Sequence, residues 1–69
     1  MRIPLTDIEY TALWFYSGLE LPEGYTVDLD TLPRARKKLE REKLVAPDRT
    51  MPYIKATNLG LERLAEGND

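Results

Sequence analysis

Hydrophobic positions change period several times along this chain, and each change marks an element. Ile8, Ala12, Phe15 and Leu19 recur at helical spacing with Tyr16 at their edge, and this face is expected to form core. Tyr10, Leu13 and Trp14 fall on the other side, so the helix is apolar nearly all round and is expected to be buried on more than one side. Its start is marked by Thr6-Asp7-Ile8-Glu9, a capping box whose early acids suit the positive end of the helix dipole. Leu5 and Tyr10 flank that cap as the pair of a hydrophobic staple. Ser17-Gly18 closes the segment, because Gly accepts the left-handed backbone common just past a helix end. The spacing predicts a first helix near 6–17.

Leu21-Pro22-Glu23-Gly24 is turn chemistry, and Tyr25-Thr26-Val27-Asp28-Leu29 alternates apolar with polar as a short half-buried strand does. A second helix is expected near 31–42, capped by Asp30 or Thr31, with Pro33 tolerated in its first turn. Leu32, Ala35 and Leu39 make its apolar stripe, while Arg34, Lys37, Lys38 and Arg41 stack on roughly the opposite face. Leu44-Val45-Ala46 and Tyr53-Ile54-Lys55-Ala56 then read as a hairpin near 44–56, to which 25–29 adds a third strand. The connection Pro47-Asp48-Arg49-Thr50-Met51-Pro52 has prolines that stop the ladder from extending. Thr57 or Asn58 caps a final helix near 58–66, with Leu61, Leu64 and Ala65 inward and Gly67 as its stop. The expectation is an α+β fold of three helices and a small antiparallel sheet, ordered α-β-α-β-β-α, forming one domain over 1–69.

Size and composition narrow the chemistry. A chain of 69 residues buries only about 60% of its unfolded surface, so its core is thin. It has no Cys and no His, which removes disulfides, thiolate chemistry, most zinc sites and most general-base catalysis at neutral pH. Acid pairs such as Glu40/Glu42 and Glu20/Glu23 have no nucleophile beside them, and no Gly-rich phosphate cradle is present. No catalytic residue, metal or cofactor is expected, and the chain does not read as an enzyme. Its longest uninterrupted apolar run, from Ala12 to Tyr16, is far short of the roughly 20 residues of a membrane span, and the opening Met-Arg-Ile-Pro lacks a signal-peptide pattern. A soluble cytoplasmic protein with no membrane partner is expected.

Net charge is −2, which on its face argues against nucleic acid, but its distribution is polarised. Arg34, Arg36, Lys37, Lys38, Arg41, Lys43, Arg49 and Lys55 face only three acids in the same stretch, a local +5; the remainder holds two bases and nine acids. Such a chain steers one side toward a polyanion, although a surface helix also needs charge simply for solvation.

At Leu39-Glu40-Arg41-Glu42-Lys43-Leu44-Val45, followed by Asp48-Arg49 and Thr57-Asn58-Leu59-Gly60, the chain resembles the winged-helix transcriptional regulators. In that family a recognition helix commonly ends in a Leu-x-x-x-Gly-Leu-Val step, and a wing hairpin leads to a Thr-x-x-Gly at the next helix. The resemblance covers about half the chain. It implies a winged-helix fold and a small prokaryotic or phage-type regulator that binds double-stranded DNA. Lys43 stands where the family usually has Gly, which costs roughly 1–2 kcal/mol if that backbone is left-handed. Between Gly18 and Asp30, where the family places the first helix of its helix-turn-helix, the sequence offers at most one turn.

The candidate DNA contacts are Arg34, Lys37, Lys38 and Arg41 on the helix, Arg49 at the wing tip and Lys55 on the wing strand. Arg reads guanine edges bidentately, and Lys pairs with phosphate. Tyr10, Leu13 and Trp14 form the competing candidate, an aromatic face for a homodimer or another protein partner, whose bland alternative is burial within the chain. The runner-up function is accordingly a winged-helix protein-interaction module, inhibitor or adaptor, that uses the acidic remainder of the surface and binds no DNA.

Overall fold

The computed structural model describes residues 4–49 and 53–67. Three helices, α1 (Asp7–Ser17), α2 (Leu32–Arg41) and α3 (Asn58–Glu66), surround two short antiparallel strands, β1 (Val45–Pro47) and β2 (Ile54–Ala56). The order is α-α-β-β-α, and the register pairs Val45 with Ala56, Ala46 with Lys55 and Pro47 with Ile54. Thr50, Met51 and Pro52 of the expected connection lie outside the described residues. No described helix is long and apolar enough to cross a membrane.

The local signals act as their chemistry requires. At the start of α1 the Glu9 N–H donates to Thr6 Oγ1 (3.2 Å) and the Thr6 N–H donates to Glu9 Oε1 (3.0 Å), a complete capping box. Gly18 ends the helix at φ 78°. Thr31 occupies the N-cap position of α2, but its side chain turns backward: both its hydroxyl (2.8 Å) and its N–H (3.0 Å) donate to the Asp28 carbonyl. The Asp28 carboxylate accepts from the Asp30 N–H at 3.0 Å, so the helix is entered through an Asx turn and not through a side-chain cap.

The end of α2 is a Schellman motif. The Lys43 N–H donates to Glu40 O (3.0 Å) and the Leu44 N–H to Leu39 O (2.8 Å), while Lys43 takes φ 62°. Leu39 and Leu44 are both buried, the apolar contact that usually accompanies this closure. Lys43 thus holds a left-handed conformation that Gly adopts at little cost. Lys43→Gly is expected to stabilise the chain by about 0.5–1 kcal/mol, the relieved strain less the extra entropy of Gly in the unfolded state. That corresponds to a melting temperature raised by about 2–8 °C, and a lower melting temperature would contradict the left-handed assignment.

Thr57 joins the last helix to this same corner. Its hydroxyl accepts from the Gly60 N–H (3.2 Å) to cap α3 and donates to Lys43 O (2.7 Å), while its N–H donates to Leu44 O (2.9 Å). Gly60 packs so closely on the Leu44 carbonyl that a Cβ would overlap the oxygen. The Thr-x-x-Gly spacing therefore has a structural reason: Thr ties the helix start to the end of α2, and Gly lets it approach.

Several expectations are corrected. Residues 25–29 form no strand; 25–28 are irregular, and the sheet has two strands. Alternation needs only an extended backbone, whereas a ladder needs a free neighbouring edge. This segment lies instead along α1, where the Tyr25 ring packs 5.9 Å from that of Tyr10. No helix forms among residues 19–31, so α2 is braced directly by α1. The inner side of α1 is also different from the one expected. Ala12 and Tyr16 are buried, but Ile8, Phe15 and Leu19 are exposed, and the core takes Tyr10, Leu13 and Thr11. The cause is tertiary: α1 packs against α2, α3 and β2, which cover the broad face centred on Leu13. On α3, Leu64 points inward with Gly60 and Arg63, while Leu61 and Ala65 are exposed.

Candidate nucleic-acid interface

Three inward side chains hold α2 in place. Ala35 and Leu39 are buried and Leu32 is half-buried against the core. With about 100° of rotation per residue, the opposite side of the helix carries Arg34, Lys37, Lys38 and Arg41 within an arc of about 100°. Arg34, Lys37 and Arg41 are exposed and Lys38 is half-buried. No acid shares that arc. Arg36 and Glu40 lie on a flank of the helix, where the Arg36 Nε sits 3.4 Å from Glu40 Oε1 as an i,i+4 pair. This pair is solvent-exposed enough to contribute only a few tenths of a kcal/mol to stability. Its effect on the stripe is to keep the helix's one exposed carboxylate occupied beside a different cation.

The hairpin brings Arg49 and Lys55 forward unequally. Arg49 follows the strand end and is exposed, next to the Asp48 N–H that donates to Tyr53 O at 2.8 Å. Lys55 sits within β2 opposite Ala46 and is half-buried, so less of its length is free to reach a phosphate. Lys43, counted in the local basic surplus but not among the candidate contacts, adds an exposed cation at the C-terminal end of α2. Tyr53, at φ 73° and exposed, places an aromatic ring at the base of the same connection, a position that strand alternation alone does not single out.

Tyr10, Leu13 and Trp14 are placed elsewhere than the interface reading required. Leu13 has no exposed surface, Tyr10 is 7% exposed, and Trp14 packs against the core with its ring 6.3 Å from Tyr10 in an edge-on arrangement. An interface built on Tyr10 and Leu13 would have to open the core, so the homodimer assigned to these residues is withdrawn. The physical reason is the packing of α1 on α2, α3 and β2, which already cover this side.

Burial raises the Tyr16 phenol above its ordinary value; the Arg36 guanidinium lowers it and the Glu40 carboxylate raises it further. Tyr16 is thus a neutral core residue at physiological pH. Among the described residues no three acidic side chains gather into a metal-binding group. A groove of about 350 Å³ runs between α1 and residues 24–26, lined by Asp7, Ile8, Thr11, Gly24, Tyr25 and Thr26.

Set against known proteins, the chain matches no family model, no curated protein and no solved structure.

Proposed function

We propose that this chain is a small winged-helix regulator of the prokaryotic or phage type that binds double-stranded DNA, with α2 as the recognition helix and the β1–β2 hairpin as the wing. The observation that carries the reading is the face of α2 opposite its core contacts, where Arg34, Lys37 and Arg41 are exposed without an intervening acid. A helix of this width fits the major groove, where Arg34 or Arg41 would read a guanine edge and Lys37 and Lys38 would pair with phosphates. Arg49 would probe the backbone or minor groove beside it, and Lys55, half-buried, is the weaker contact.

Binding is expected to weaken steeply with salt, because each phosphate neutralised releases condensed counterions and log affinity falls by about 0.9 per phosphate for each log unit of salt. Replacing Lys37 and Lys38 together by Ala should flatten that slope by about one unit for each phosphate no longer neutralised. Replacing Arg34 or Arg41 should cost about 1–3 kcal/mol at a cognate site and relax the preferred sequence. A gel-shift or anisotropy series across salt measures all three. Absence of binding at low salt would overturn the reading in favour of a protein-interaction module, for which the exposed apolar side chains of α1 speak.

A further inference from the structure

Residues 4–33 contain six acids and no base. Asp7, Glu20, Glu23, Asp28 and Asp30 are exposed, and Glu9 is half-buried. The same stretch exposes large apolar side chains, with Ile8 at 51%, Phe15 at 39% and Leu29 at 71%. Ile8 and Phe15 are seven residues apart on α1, so they stand in line two turns apart, about 10.5 Å along the helix axis. The groove between α1 and residues 24–26 runs beside this ridge, with Ile8 and Thr11 on one wall and Tyr25 and Thr26 on the other. It is followed by a small recess of about 30 Å³ that reaches Val27 and Leu32. Apolar anchors beside a concavity, rimmed by one sign of charge, have the composition of a protein-binding patch.

Charge decides the occupant. A second copy docked ridge to ridge about a two-fold axis would bring this stretch of acids against itself, and like charges facing across an interface cost several kcal/mol. The chain's own basic helix does not fit the ridge either, because the outward arc of α2 carries cations and no exposed apolar side chain. The occupant must bring apolar anchors at helical spacing together with a cationic rim. We propose that the Ile8–Phe15 ridge and its adjoining groove dock a basic amphipathic helix of another protein, its apolar face on the ridge and its Lys and Arg side chains against Asp7, Glu23 and Asp28. This inference uses none of the α2 cations and stands apart from DNA binding.

The test is a titration of the isotope-labelled full chain with a synthetic helical peptide of about five turns, carrying Leu at i, i+3, i+4 and i+7 and Lys or Arg elsewhere. A scrambled peptide of the same composition and a version with Glu in place of Lys and Arg serve as comparisons. The amphipathic peptide should move the amide resonances of Ile8, Thr11, Phe15 and Thr26, bind more weakly as salt is raised, and bind better than either comparison. The double variant Ile8→Ser, Phe15→Ser should weaken it by about tenfold or more, the loss of two apolar anchors of at least about 0.7 kcal/mol each. Both side chains are exposed, so circular dichroism should show the fold unchanged and DNA affinity should match the parent. The proposal fails if the amphipathic peptide does not bind at millimolar concentration, if the scrambled peptide binds equally well, or if the double variant binds as the parent does. It also fails if the ridge resonances move on dilution of the chain alone, which would assign the ridge to a second copy.

Discussion

Gly60→Ala is expected to destabilise this protein by about 3 kcal/mol, despite being a change that ordinarily favours a helix by about 1 kcal/mol. The methyl group would overlap the Leu44 carbonyl oxygen and lie 3.2 Å from Leu13 Cδ1. Neither neighbour can yield cheaply. Leu44 O accepts the Thr57 N–H at 2.9 Å, so moving it breaks the bond that seats α3, and Leu13 is fully buried. The steric term therefore outweighs propensity. A domain of this size has only about 3–5 kcal/mol of stability, so the variant should be largely unfolded, or melt some 12–24 °C lower where a transition remains measurable. Urea unfolding followed by circular dichroism would show it. A variant as stable as the parent would mean that α3 does not pack on the end of α2 in this way.

Leu39→Ala should be of similar size, about 3–4 kcal/mol, for a different reason. Leu39 has no exposed surface, and it is the one large, fully buried side chain through which α2 is attached, its companions being Ala35 and the half-buried Leu32. Removing it leaves a cavity and frees the helix that carries Arg34, Lys37 and Arg41. The proposed DNA contact of the basic stripe should be lost along with the fold, whereas Leu39→Met, which nearly conserves volume, should cost under about 1.5 kcal/mol and leave that contact in place. A loss below about 1 kcal/mol for the Ala variant would show that α2 is held by packing other than that of its apolar stripe.

The two variants probe parts of the chain that differ in how visible they are beforehand. The importance of Leu39 follows from periodicity, since Leu32, Ala35 and Leu39 are the only apolar residues at helical spacing in a segment otherwise made of charge and Pro33. The close approach at Gly60 does not follow from any local rule. Thr57-Asn58-Leu59-Gly60 announces a cap through Thr57, but a glycine at the third helical position is there because of a carbonyl sixteen residues earlier in the chain. Lys43 lies between the two cases: the resemblance marks its position as one usually held by Gly, and the bond from the Leu44 N–H to Leu39 O is what makes its backbone left-handed.

Local chemistry alone dictates the elements whose hydrogen bonds and caps close within a few residues: the Thr6–Glu9 box, the Gly18 stop, the inward stripe of α2 and a cap at Thr57 or Asn58, of which the fold uses Thr57. Side chains that make these bonds are neighbours in the chain, so their spacing carries the information. Which side of α1 faces inward was left to the tertiary structure. That helix is apolar almost all round, so periodicity offers two solutions, and the packing of α2, α3 and β2 selects the one that buries Leu13 and leaves Ile8 and Phe15 in solvent. The absence of a strand at 25–29 has the same origin. Alternating side chains prepare a segment for a ladder, but backbone hydrogen bonds form only where another strand is in reach, and here α1 is the neighbour.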